Sequence, residues 1–242
     1  GLRNPSRLTF RPGTDEIWVA DAGWNDWEEI NRIQNAADGI VENFGWPCYE
    51  GSSTTGYAGL QICSDLYLQP ALAAPPYFAY HHSQQVVAGD QCSAGTGKIS
   101  GITFYGTGTY PGSYQGAFFF SDLARNCIWV MPQGVDGLPD PTRRAVFMVG
   151  AASPADLKTG PGGDLFLVDQ NGGTVRRIVY DTTPPVRSNG APTGVLAAGT
   201  TQTTLSLTTN ENASCRYTTS AGVAYGSMAN VFTTTGGTSH ST

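Results

Sequence analysis

Apolar residues fall in short runs over the first 180 positions, separated by Gly, Pro, Asn and Asp. Ile17-Trp18-Val19-Ala20, Ala117-Phe118-Phe119-Phe120 and Leu165-Phe166-Leu167-Val168 are unbroken rather than alternating. Runs of this length bounded by turn residues predict strands, and unbroken ones predict strands buried on both faces. Each run sits inside a longer repeat. Arg7 to Ile33 reads RLTFRPGTDEIWVADAGWNDWEEINRI, and Asp156 to Ile178 reads DLKTGPGGDLFLVDQNGGTVRRI. Both run strand, Pro-Gly turn, apolar strand ending in Asp (Asp21, Asp169), polar loop, then a strand ending Arg-Ile. Ile102 to Met131 follows the same plan with a longer first turn and Asp122 at the Asp position.

Four-stranded units stacked face to face around an axis are the blades of a β-propeller. A β-sandwich is the rival, but its strands would alternate apolar and polar residues more cleanly. The pattern therefore predicts an all-β chain: three blades in residues 1–180, then a small β-sandwich. Three blades cannot close a ring, since roughly four is the smallest propeller. An open half-ring exposes apolar faces and strand edges. The expectation is that a missing N-terminal half, or a second chain, completes it. The opening Gly-Leu-Arg-Asn-Pro has no initiator Met and reads as the interior of a domain, so the chain is expected to be a processed product or a fragment.

Residues 34–99 interrupt the repeats. They carry Asn43-Phe44-Gly45-Trp46-Pro47-Cys48-Tyr49-Glu50-Gly51 and an Ala/Pro-rich passage ending Tyr80-His81-His82. This predicts an ordered insertion with short strands lying over one propeller face. At Asp181-Thr182-Thr183-Pro184-Pro185 the composition shifts, and the Pro pair predicts a stiff linker over 181–185. Alternation in Thr204-Leu205-Ser206-Leu207-Thr208 predicts half-buried strands of a sandwich over 186–242. Such a fold usually needs ~100 residues, so this unit is expected to be cut short.

Composition narrows the function. Only 13% of residues are charged, against roughly a quarter in an average soluble protein. The net charge of −6 and the lack of any basic stripe exclude nucleic acid as a natural partner. No window approaches the ~18 apolar residues of a membrane span. The five cysteines form no C-x-x-C pair. Disulfides 48–63 and 92–127 are the preferred pairing, with buried free thiols as the alternative; Cys215 has no evident partner. Few Lys and many Thr and Gly favour a secreted or other extracytoplasmic home.

Most catalytic motifs are absent. Ala94 to Ile99 lacks the first Gly and the final Ser/Thr of a phosphate loop, and no G-x-S-x-G elbow occurs. His81 and His82 are strand neighbours pointing to opposite faces, which suits a structural role better than joint chelation. Two features remain. Asp21 to Glu29 places four carboxylates among Gly and Asn, the hard oxygen donors Ca²⁺ requires, although a solvated turn has the same composition. Arg3-Asn4 precedes the first strand and offers a cationic fork beside a donor–acceptor amide, suited to an anionic, carbonyl-bearing ligand.

GLRNPSRLTF, IWVADAGWNDWEEINRI and ENFGWPCYEG together resemble the soluble glucose/sorbosone dehydrogenase family, and the resemblance continues through FFFSDLARNCIWVM and SPADLKTGPGGDLFLVDQNGGTVRRI. It implies the C-terminal half of a six-bladed propeller that uses pyrroloquinoline quinone and Ca²⁺ to oxidise C1 of aldose sugars. On this resemblance Arg3 and Asn4 contact the quinone carbonyls, with Arg3 polarising the one that is reduced. The backbone carbonyls of Gly23 and Trp24 hold the catalytic Ca²⁺, where family members commonly have Pro at the position of Trp24. Glu29 and the backbone of Phe44 match a second, structural Ca²⁺ site. The family's catalytic His lies outside this chain. Ala124, Ser153 and Ala155 stand near positions where glucose-oxidising members grip the cofactor carboxylates with Lys and Arg. That departure keeps a second reading open, a non-catalytic extracellular propeller that binds glycan or protein. The Thr-rich tail resembles Ig-like or fibronectin-like modules more loosely.

Overall fold

A computed structural model describes all 242 residues. The chain forms two compact units, Gly1–Tyr180 and Asp181–Thr242. In the first, β1 (Pro5–Phe10), β2 (Ile17–Asp21) and β3 (Trp27–Ile33) run as an antiparallel meander. A short hairpin of β4 (Tyr49–Glu50) and β5 (Ser53–Thr54) follows, then helix α1 (Gln61–Leu68). Strand β6 (Phe78–His81) returns to pair with β3 as the fourth strand of the sheet. The second sheet runs β7 (Ile99–Phe104), β8 (Phe118–Asp122), β9 (Cys127–Met131) and β10 (Ala145–Val149) in order. The third has β11 (Pro154–Thr159), β12 (Leu165–Asp169) and β13 (Thr174–Ile178).

The first strands of the three sheets, β1, β7 and β11, lie side by side, so the sheets radiate from one axis as propeller blades. The close approach of β7 to β11 depends on Gly101, where a Cβ would stand 2.2 Å from the Leu157 nitrogen. Alternate residues of β8 feed two cores. Phe118 and Phe120 pack with Trp18, Ile30, Tyr80 and Trp129 toward the first blade. Phe119 packs with Ile128, Leu157 and Leu167 toward the third. An unbroken apolar run is required because both faces are covered.

Three expectations are corrected. The third blade has three strands, not four. The run in β12 is not buried on both faces, because Leu165 and Leu167 are covered while Val168 is 40% exposed; no sheet is stacked outside it. At the other end Leu8 and Phe10 are exposed for the same reason. Residues 34–99 are not solely an insertion over one face, since they contain a helix and close the first blade with β6. Disulfide Cys48–Cys63 anchors α1, whose N-cap position Leu60 makes no side-chain cap. Disulfide Cys92–Cys127 ties the approach to β7 onto β9.

The second unit pairs β14 (Arg187–Ala191), β15 (Ser206–Thr209) and a final strand, and β16 (Arg216–Tyr217) pairs with β17 (Asn230–Val231); the final strand is β18 (Ser239–Ser241). Its buried residues are few: Thr209, free Cys215, Phe232 and His240. Leu205 to Thr208 are uniformly half-buried rather than alternating, which fits so thin a core.

Candidate functional site

Each of the first two blades uses the Asp at the end of its second strand to fix the start of its first strand. Asp21 accepts the Arg3 amide at 2.8 Å and the Asn4 amide at 2.6 Å, while the Ala22 amide donates back to the Asn4 carbonyl at 3.0 Å. Asp122 accepts the Lys98 amide at 2.9 Å, and the Leu123 amide donates to the Lys98 carbonyl at 3.0 Å. In the third blade the Gln170 amide donates to the Ser153 carbonyl at 3.1 Å, but Asp169 turns to Gly172 and Arg176. Asn4, Lys98 and Ser153 thus occupy equivalent positions at one end of the axis. A cavity of ≈ 380 Å³ opens there, lined by Asn4, Lys98, Leu123, Ala155 and Gln170 among others.

Arg3, the residue before Asn4, is exposed. Its Nη1 donates to the carbonyls of Ala22 (3.1 Å) and Gly23 (2.7 Å), and its guanidinium lies 5.9 Å from the Trp46 ring. Burial pushes the Asp21 carboxyl up, partly offset by the two amides it accepts and by the Arg3 charge. At Gly23 any Cβ would fall 1.5 Å from the Trp27 carbonyl oxygen, so the loop closes only with Gly. Beside it, Oε1 of buried Glu50 accepts the amides of Trp24, Asn25, Asp26 and Trp27 at 2.7–3.1 Å. Burial alone would raise this carboxyl, but the four donors hold it below the usual range.

Glu29 is 7% exposed, accepts the Gly51 amide at 2.6 Å and Asn31 Nδ2 at 3.0 Å, and has its pKa pushed up to about 6. Burial is the main cause, and the Asp21 and Glu50 charges add to it. The neighbouring Asn31 Oδ1 is buried with no hydrogen-bond partner. A carboxylate short of positive charge beside an orphaned oxygen fits a hard cation. No three His, Cys, Asp or Glu side chains are grouped to hold a metal, so a cation here would draw on backbone carbonyls for its other ligands. The Gly23 carbonyl is a poorer fit, because Arg3 already donates to it.

The predicted residues are thus partly gathered. Arg3, Asn4 and Gly23 are joined through Asp21 and direct bonds, Trp24 hangs from Glu50, and Glu29 binds the insertion at Gly51, seven residues beyond buried Phe44. His82 Nε2 pairs with buried Glu28 at 2.8 Å, and His81 Nδ1 accepts the Ser83 amide at 3.1 Å, so neither reaches the cavity. Lys98 and Glu50 were not anticipated. That Lys98 is one of only two lysines is the one signal that singles it out.

The sequence profile described as glucose/sorbosone dehydrogenase matches residues 1–177. The chain belongs to that family. It is similar to the aldose sugar dehydrogenase YliI of Escherichia coli K12, at 25% identity over 181 residues, covering 74% of this chain and 42% of that one. Among solved structures it resembles a glucose dehydrogenase with TM-score 0.51, 19% identity, covering 75% of this chain and 46% of that one. The PQQ-bound form of an aldose sugar dehydrogenase from Streptomyces coelicolor aligns with TM-score 0.47 and 18% identity, over 73% and 42%. The chain spans less than half the length of these relatives. The family match and the three radiating sheets agree with a partial propeller of that family's fold.

Proposed function

We propose that the chain is the cofactor-facing part of a secreted, quinone-dependent oxidoreductase acting on the C1 hydroxyl of aldose sugars. The observation that carries this reading is that buried Asp21 fixes the amides of Arg3 and Asn4 beside the axial cavity, which Asn4 lines. Asn4 and Lys98 suit a carboxylate-bearing planar ligand, and the volume falls in the range of small-ligand sites, roughly 300–1,000 Å³. Pyrroloquinoline quinone, when bound, supplies the acceptor that takes a hydride from C1 as the sugar becomes a lactone. Arg3 keeps a fixed cation next to Asn4, where it stabilises charge developing on the acceptor. Glu29, with the carbonyl of Phe44, holds a structural Ca²⁺ that fastens the 43–51 segment to the first blade. The hydroxyl proton needs a base from elsewhere in the propeller, since both histidines of residues 1–180 are engaged away from the cavity.

Further blades, in the same protein or a second copy, would cover the exposed faces at Leu8 and Val168. Two disulfides fit an extracytoplasmic site, and no helix is long and apolar enough to cross a membrane. Residues 186–242 serve as an Ig-like or fibronectin-like accessory module, a reading supported by their two small sheets.

One observation favours the second reading, glycan binding without catalysis. Trp24 is 42% exposed and stacks on Tyr57 at 5.2 Å, with Trp46 edge-on to both. Exposed ring faces suit the apolar face of a pyranose. The test is reconstitution of the full-length protein with quinone and Ca²⁺, followed by dye reduction over a panel of aldoses. Aldose-dependent reduction is expected; glycan binding with no reduction by any aldose overturns the enzymatic reading.

A further inference from the structure

Every other Lys and Arg of residues 1–180 donates to a carbonyl or pairs with a carboxylate. Arg3, Arg125, Arg143, Arg144 and Lys158 reach carbonyls, and Arg7, Arg11, Arg32, Arg176 and Arg177 pair with Asp or Glu. Lys98 is exposed, and only its backbone is engaged. It stands one blade along from Asn4, at the equivalent position, and both line the axial cavity.

No carboxylate side chain lines that cavity, although the protein carries 19 acidic residues against 13 basic ones. Arg7 also lines it. Its Nε is shut off from solvent without a hydrogen bond, its 3.4 Å approach to Asp156 being too poorly aligned to count as one. Leu123 and Ala155 bring no charge to the wall, and Gln170 adds a neutral amide. Lys98 is therefore the one cation of that wall without a carboxylate partner, since Arg7 pairs with Asp156.

We infer that Lys98 is the principal cationic contact of an anion subsite in the axial cavity, which receives a carboxylate of a planar polycarboxylate ligand. This rests on the proposed quinone reading and deepens it. The cation is carried by the first strand of the second blade, in the position where the first blade presents Asn4. It makes up for the uncharged Ala124, Ser153 and Ala155. A lysine supplies this contact as a point charge on a flexible stem, so it follows a carboxylate without fixing its plane.

Calorimetric titration of the full chain tests this with two probes, pyrroloquinoline quinone and benzene-1,3,5-tricarboxylate, which has the carboxylates but no quinone. Lys98→Met is expected to weaken binding of both at least tenfold, Lys98→Arg to keep most of it, and added salt to narrow the gap. Lys158→Met removes the same charge from a side chain that reaches the Leu8 and Ile102 carbonyls, and is expected to leave affinity within threefold. Binding of the tricarboxylate alone, dependent on Lys98, supports the subsite while refuting the quinone reading. Equal affinity in wild type and Lys98→Met overturns the inference and leaves the quinone reading standing. Failure of the wild type to bind either probe also overturns it.

Discussion

Replacing Glu50 by Gln tests whether one buried carboxylate organises the loop that carries Gly23 and Trp24. The side chain is 6% exposed, and its Oε1 takes four consecutive amides at 2.7–3.1 Å. Gln leaves an oxygen in place and removes the charge. A hydrogen bond to a charged acceptor contributes about 1.5–3 kcal/mol net, against about 0.5–1.5 for a neutral one. The difference is about 1 kcal/mol per good bond, and four donors crowded on one oxygen keep the sum near 2–3 kcal/mol. For a unit of this size that lowers Tm by about 4–12 °C. The sign with pH follows from the lowered pKa. Glu50 contributes its stability above the ordinary carboxylate range and loses it as pH falls through the folded value. Thermal melts and urea titrations of wild type and Glu50→Gln, followed by tryptophan fluorescence at pH 7 and again in acid, should show a gap that closes on acidification. A variant melting within a degree of wild type at pH 7 would refute the claim that this carboxylate carries the loop.

Gly23→Ala should lower Tm and abolish titratable ligand binding together, because its Cβ would lie 1.5 Å from the Trp27 carbonyl oxygen and the loop must shift to admit it. Glu29 gives the opposite pH dependence to Glu50. With its folded pKa raised from 4.5 to about 6, its contribution is full below pH 4.5 and lost as pH rises through about 6, a loss of about 2 kcal/mol for the metal-free chain at neutral pH. Calcium should raise Tm at pH 7 and much less at pH 5, and Glu29→Gln should remove that response; melting with and without chelator at the two pH values checks it.

The blade strands were readable because burial on both faces demands unbroken apolar runs, as in β8 with its Phe118-Phe119-Phe120 core. The same rule misjudged β12, since sequence shows which residues want cover and not whether a neighbour supplies it. Strand β6 escaped notice because Phe78–His81 follows a Pro-rich passage and gains its place only by pairing with β3, far back in the chain. Helix α1 escaped because its anchor is the Cys48–Cys63 disulfide rather than an apolar stripe or a capping residue. At the candidate site, Arg3, Asn4 and Gly23 were visible as a motif. Glu50 was not, because its importance lies in four amides it gathers from a loop 23–26 residues earlier. Lys98 has its place only through the fold, where Asp122 holds it as Asp21 holds Asn4.

Those Asp contacts also bear on how such a protein can change over time. Asp21 fastens the entry of β1 within its own blade, whereas Asp122 fastens the entry of β7 and also accepts the Tyr80 hydroxyl of β6 at 2.7 Å. Residues 34–77 are threaded between β3 and β6, so a change of length there reaches the Lys98 anchor through the placing of Tyr80 and leaves the Asp21 bonds to Arg3 and Asn4 within the first blade. Lengthening, shortening or replacing that outer excursion alters what surrounds the axis wherever β6 keeps its pairing with β3. New specificities can then be sampled by insertion and deletion, on the condition that Tyr80 stays within reach of Asp122.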